Sequence, residues 1–376
     1  MEHPHRTTLT RRRFTALAAA SATAALLGCT SDPTSLGAPE SLGDSGESPA
    51  QEGNSTTPAE ATDAATVPAE SSDTSSAPNE DTANEASISE NAPVVYLTSD
   101  ISAQGLANVF NALGAQPSGN VAVKLSTGEP GSNYLRPELI GDLVKSLSAT
   151  IVECNTAYGG QRGSTEQHRQ VAADHGFTAI ANVDIMDADG ELTLPVEGGA
   201  HLAENYVGAN LANYDSCVSL AHFKGHAMGG FGGAIKNCSI GIASAAGKLH
   251  IHSAGASRTS WGGGTQDGFL ESMAEAAKAV ADYLGPESMF YVNVMNRLSV
   301  DCDCDGHPAE PDMADIGILA SRDPVALDRA CVDLVYAADD GASVIARIES
   351  RNGTHTLDHA AAIGLGSLTY QLVSID

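Results

Sequence analysis

Val121-Ala122-Val123-Lys124-Leu125, then Pro137 to Leu147, then Thr150-Ile151-Val152-Glu153-Cys154 read in order as strand, helix and strand. The two apolar runs are short and rich in β-branched residues, and a Gly-rich loop separates the first from the helical stretch. Two parallel strands need a long crossover, usually helical, so this stretch predicts a βαβ unit and a parallel sheet. Outward from it the pattern repeats. Val94-Val95-Tyr96-Leu97 precedes an amphipathic run from Ile101 to Leu113, and a further helix is expected from Thr165 to His175 behind a capping box, Ser164-Thr165-Glu166-Gln167. The longest helix should run from Gln266 to Leu284, stopped by Gly285-Pro286. Ile316-Gly317-Ile318-Leu319-Ala320 leads into Asp323-Pro324-Val325, where an Asp cap and a Pro in the first turn open a helix through about Ala338. The fold class is α/β, with a mostly parallel or mixed sheet flanked by helices, over residues 94–376.

The flanking segment is of another kind. Residues 30–93 are Ser, Thr, Pro, Ala and acidic residues, with thirteen carboxylates and no Lys or Arg. Such a chain buries too little apolar surface to offset its ordering entropy, which predicts a disordered tether, or stalk. Residues 1–29 read as a leader. Thr10-Arg11-Arg12-Arg13-Phe14 is a twin-arginine core, Thr15 to Leu27 is a small apolar run, and Leu26-Leu27-Gly28-Cys29 has the spacing of a lipoprotein cleavage box. The run is shorter than the ~20 apolar residues of a spanning helix. The expectation is export by the twin-arginine route, lipidation at Cys29, and anchoring on the extracytoplasmic face of the cell membrane by that lipid alone. Because this route carries folded proteins, often with a cofactor already inserted, it favours a metallo- or redox protein.

Charge narrows the partners. Of the formal −28, the leader contributes +3 and the tether −13, leaving −18 on residues 94–376. A body this acidic offers no basic stripe for nucleic acid. It holds six cysteines, Cys154, Cys217, Cys238, Cys302, Cys304 and Cys331. A domain of this size does not need disulfides, and folding before export takes place in a reducing compartment, which favours free or metal-bound thiols.

The densest group of reactive residues runs from Ala221 to Ser253. His222 and His226 flank Lys224 in a Gly-rich loop, a candidate metal or anion site, although the zincin Glu is missing. Lys248, His250 and His252 alternate with Leu249 and Ile251, which on a strand would place the three polar side chains on one face. Asp301-Cys302-Asp303-Cys304-Asp305-Gly306-His307 is the sharpest metal candidate. In extended geometry the two thiols would point one way and the three Asp the other. Three readings stay open there. The thiolates could hold zinc or iron with His307, or with His222 and His226. The cysteines could form a redox disulfide or stay free. The D-x-D-x-D-G outline, with Asp312 at its twelfth position, could hold calcium, though Pro308 and Pro311 fit such a loop poorly. An iron–sulfur cluster usually needs four cysteines, so a CxC pair would require two distant partners. The loop Tyr158-Gly159-Gly160-Gln161-Arg162, at a predicted strand end, would suit an anion. Gly241 to Lys248 and Gly230-Phe231-Gly232 fail as nucleotide motifs, and no G-x-S-x-G elbow supports a serine hydrolase.

Several of these pieces together resemble the domain of unknown function 362 family. They are His222-Phe223-Lys224-Gly225-His226, Phe231-Gly232-Gly233-Ala234-Ile235-Lys236-Asn237, Gly247 to His252, Asp301-Cys302-Asp303-Cys304, and Asp315 to Ser321 with Asp323-Pro324-Val325-Ala326. Lys124 and the Tyr158-Gly159-Gly160 loop belong to the same resemblance. It implies an α/β domain that in many relatives is joined to a ferredoxin-type iron–sulfur module. This chain has no C-x-x-C-x-x-C run, so the module is not expected here.

The combined expectation is one polar site. Lys124, Tyr158, Gly159, Gly160, Arg162, Lys236 and Asn237 would bind a ligand. Lys248, His250 and His252 would do the chemistry, with His250 moving a proton and Lys248 or Arg162 holding an anion. Cys302, Cys304, His222 and His226 would hold a metal. The protein would be a metal-dependent or redox protein acting on a small anionic molecule or redox partner, or else a non-catalytic binding lipoprotein.

Overall fold

The computed structural model describes residues 91–376, so the leader, Cys29 and the tether up to residue 90 lie outside the described residues. The folded body begins slightly earlier than the sequence suggests. Ala92 is buried, and the carbonyl of Pro93 accepts a hydrogen bond from the Gln371 amide.

The predicted strand–helix–strand unit is present as β2 (Val121–Lys124), α2 (Pro137–Ser146) and β3 (Thr150–Glu153), preceded by β1 (Val94–Thr98) and α1 (Ala103–Asn111). Next come α3 (Thr165–Asp174), β4 (Val183–Ile185), the hairpin strands β5 (Glu191–Pro195) and β6 (Glu204–Gly208), and β7 (Ser216–His222). A second small hairpin, β8 (Lys224–His226) and β9 (Gly230–Gly232), leads to α4 (Ala234–Cys238), α5 (Ala245–His252) and α6 (Gln266–Leu284). The chain closes with β10 (Met289–Met295), β11 (Gly317–Ser321), α7 (Pro324–Ala337), α8 (Ala342–Ser350), α9 (His355–Ala362) and β12 (Gln371–Ser374).

Eight strands form one mixed sheet in the order β12-β1-β11-β10-β7-β2-β3-β4. The five from β10 to β4 are parallel, and β11 runs antiparallel to both of its neighbours. Alternation along the strands sends successive residues to opposite layers. Val123, Ile151, Val218 and Ile318 pack with Leu106 and Phe110 of α1 and Ile140 and Val144 of α2. Ala122, Val152, Cys217 and Leu319 face the other way, with Val280 of α6, Val332 of α7 and Leu357 of α9. Burial on both faces explains why these strands read as near-continuous apolar runs.

The capping chemistry set the helix starts. Ser164 accepts from the Gln167 amide and donates to its side chain at 3.0 Å, and Asp323 accepts from Val325 and Ala326 at 2.9 Å each. From β2 the chain adds strands outward on one side (β3, β4), then returns to place β7 and β10 on the other. The strand order therefore reverses between β2 and β7, and in open parallel sheets a crevice opens at the carboxyl ends at such a point. Lys124 ends β2, Glu153 ends β3 and His222 ends β7.

Candidate metal and anion site

A cavity of about 110 Å³ opens at those strand ends. Five basic side chains line it, Lys124, Arg162, Lys224, Lys236 and Lys248, against two carboxylates, Glu153 and Asp303. His222, Asn237, Cys302 and Cys304 line it as well, with Ser126 and Thr156.

The floor is an ion network. Lys124 Nζ lies 2.9 Å from Glu153 and also donates to the Leu125 carbonyl and to Asn237 Oδ1. Arg162 lies 3.1 Å from Glu153 and 3.0 Å from Glu129. Burial alone would push the Glu153 carboxyl up, but Lys124, His168 and Arg162 more than offset it and hold it well below its usual range. Glu129 also accepts from the Gln161 amide at 2.8 Å and from Tyr158 Oη at 3.1 Å. A Cβ on Gly160 would strike its carboxylate. The Tyr158–Arg162 loop is thus tied down from inside, and Arg162 already has two counter-ions. Asn237 donates to the Lys124 carbonyl and to Ser219, joining α4 to the strand ends.

At the rim, Lys224 pairs with Asp303 and donates to His222 Nδ1 at 2.8 Å, while His222 Nε2 donates to the Asn296 carbonyl at 2.7 Å. Both ring nitrogens of His222 are committed, and burial with Lys224 nearby depresses its basicity. Asp303 is held well below the usual carboxylate range, because Lys224 and His222 outweigh the opposite push of burial.

The ligand atoms of His226, Cys302 and Cys304 lie within 4.8 Å of one another, and among the described residues this is the one group of three or more that could hold a metal ion. Two thiolates and an imidazole make a soft donor set that suits zinc or iron and leaves a position open. The backbone amides of Gly229 and Met228 donate to His226 Nδ1, at 2.8 and 3.3 Å. The neutral ring therefore carries its proton on Nε2, so a metal at that nitrogen requires the proton to move to Nδ1 and the two amide hydrogen bonds to break, which makes the imidazole a weaker donor than the two thiolates. The two cysteines are joined as a disulfide in this structure, so a metal requires their reduced form.

Several expectations need correction. Residues 301–307 are not extended: the Asp305 amide closes a turn on the Cys302 carbonyl at 3.0 Å, and Cys302, Asp303 and Cys304 line the same cavity. The calcium outline is not assembled, since Asp301 pairs with Arg347, Asp303 with Lys224, and Asp312 accepts from Ser343. His307 is exposed, and the structure brings His226, not His222, to the two sulfurs.

Lys248, His250 and His252 sit on helix α5 rather than on a strand. Ser244 caps that helix by accepting from Gly247, and the helical period of 3.6 separates residues two apart by about 200°. Lys248 therefore lines the cavity. His252, one turn on, is buried against Phe269 and donates from Nδ1 to the Lys248 carbonyl at 2.7 Å. His250 points elsewhere, its ring edge-on to Tyr206 at 5.1 Å.

Cys154, Cys217, Cys238 and Cys331 are buried free thiols, and burial pushes Cys154 and Cys238 up to about 12. No four-cysteine cluster forms among the described residues.

Glu153, Glu129 and Lys224 are the residues the sequence left without roles, and Asp303, expected only as a calcium ligand, serves instead as the partner of Lys224. Glu153 carried a usable signal, a lone carboxylate ending an apolar strand beside a strand that ends in Lys124. Glu129 carried none, because its partner Arg162 is distant in sequence.

Residues 121–333 match the family described as Domain of unknown function (DUF362). The match covers more than half of the chain, and the chain belongs to that family. No curated protein sequence matches it. Among solved structures it is similar to the lactate racemase apoprotein from Thermoanaerobacterium thermosaccharolyticum, at 13% identity and a TM-score of 0.39, over 75% of this chain and 83% of that one. A protein from Thermotoga maritima is similar at 15% identity and a TM-score of 0.38, over 63% of this chain and 58% of that one.

Proposed function

We propose that this DUF362 protein acts on a small anionic molecule at a centre made by Cys302, Cys304 and His226. Oxidised, the centre is a disulfide; reduced, it is a dithiolate that holds one transition metal, zinc or iron. The observation that carries this reading is the His/Cys group beside a cavity with five basic side chains and two carboxylates. The excess of cations favours an anion, and the volume falls below the ~300–1,000 Å³ of sites for drug-sized ligands, so the ligand is small. Metal would polarise the anion or carry an electron. Lys248 and Lys236 are the cations left to meet the ligand. The leader belongs to the same reading: export in the folded state would deliver the centre already loaded, on a lipid anchor at Cys29.

Elemental analysis of protein prepared under reducing, anaerobic conditions tests this. We expect about one metal per chain, lost in Cys302→Ser and weakened in His226→Ala. Metal-free protein under those conditions would leave only the dithiol–disulfide half of the proposal.

A further inference from the structure

We propose that Lys236 is a nucleophilic amine that forms an imine with a small 2-oxo acid bound in the cavity. The inference rests on the anion-binding reading above and deepens it by naming a substrate class. Among the five basic residues of the cavity, Lys124, Arg162 and Lys224 are each in an ion pair, and Lys248 donates to the Ala243 carbonyl. The Lys236 side-chain amine faces the same cavity with no hydrogen-bond or ion-pair partner among the described residues, while its backbone carbonyl accepts from the Gly241 amide and the Ser239 hydroxyl. Burial, and then the nearby Lys224 and Lys124 charges, bring its amine down to about 7. A desolvated lysine next to other cations is the type that reacts with carbonyls, because a good fraction of it is neutral at working pH.

The backbone around it is fixed. Asp328 accepts from the Ala234 and Ile235 amides at 2.7 and 2.9 Å, which holds α4 in place. Lys248 has donor capacity left to meet the carboxylate of the acid, and the cavity suits a molecule of a few heavy atoms.

The chemistry balances without an outside oxidant or reductant. The neutral Lys236 nitrogen attacks C2, forming a C–N bond as the carbonyl π bond opens onto oxygen. That oxygen then leaves as water with the two amine protons, and the C=N bond remains.

The test uses the full chain with pyruvate or glyoxylate and cyanoborohydride at neutral pH, read by peptide mass mapping. We expect the reduced adduct at Lys236, with labelling roughly tenfold or more above the exposed Lys145, which serves as internal control. Lys236→Arg should lose the adduct at this position while Lys145 is labelled as in the unaltered protein. Stabilisation by pyruvate or glyoxylate without preferential labelling of Lys236 in the unaltered protein would overturn the imine and leave the anion cavity standing. No stabilisation by pyruvate, glyoxylate or inorganic phosphate would overturn the anion reading, and the imine with it.

Discussion

Glu153 shows what single residues do in this protein. It is a buried carboxylate facing Lys124 and Arg162, with Thr127 donating to it from both amide and hydroxyl. Removing one member of such a network leaves the others charged and buried. Glu153→Ala should therefore cost about 3–5 kcal/mol in chemical denaturation, far more than the loss of an exposed carboxylate. The pH dependence has a definite sign. Glu153 and Asp303 both sit below their unfolded values, so the folded state holds fewer protons than the unfolded chain in acid. Their stabilisation is complete above the ordinary carboxylate range, begins to be lost as pH falls through it, and is gone only below their depressed folded values. A thermal-melt series should show that acid slope, shallower in Glu153→Gln; an unchanged slope would mean the carboxylate is not the titrating group. Lys124 entered the expected site through the family resemblance, and it ends strand β2 at the cavity. The pairing of Lys224 with Asp303 was not legible in the sequence, since it spans the fold and depends on a turn that no local pattern announces.

At the scale of elements, α5 and α4 decide which predicted residues reach the site. The alternation of Lys248, His250 and His252 with aliphatics looked like a strand, yet Gly247, Lys248, Ile251 and His252 are the buried positions, a helical pattern. The Ser244 cap was the overlooked signal. Lys248→Ala should weaken anion binding by about tenfold, the scale of one charge-assisted hydrogen bond, whereas His250→Ala should change it by less than about twofold. Equal losses in calorimetry would contradict the helical placement. Asp328 of α7 holds the first amides of α4, and a Cβ on Gly233 would strike its carboxylate. Asp328→Ala strands those amides in a buried setting and should cost about 2–4 kcal/mol in urea denaturation. Burial lifts the Asp328 carboxyl to about 6, against the pull of its donors. The folded state thus binds the extra proton here, and this residue's contribution is full below the unfolded carboxylate value and declines as pH rises through about 6. Helix α6 and the Asp323 cap were read correctly because their stop and start signals are local.

For the whole molecule, the sheet class was legible from alternating strands and helices, while the cavity was not. It depends on the reversal of strand order between β2 and β7, and strand order is a long-range property. Location is a proposal of the same scale. Replacing Arg11 and Arg12 with Lys should leave precursor in the cytoplasm, and Cys29→Ala should abolish lipid labelling. Normal anchoring of both variants, followed by cell fractionation, would refute the leader reading. The central claim is that Cys302, Cys304 and His226 form one metal-holding centre when reduced. The most direct measurement is the X-ray absorption spectrum of the reduced, metal-loaded full chain at the metal edge. The account predicts two sulfur scatterers, at about 2.3 Å if the metal is zinc, with a nitrogen scatterer that is lost in His226→Ala. A metal shell of oxygen and nitrogen alone, unchanged in Cys302→Ser, would contradict it.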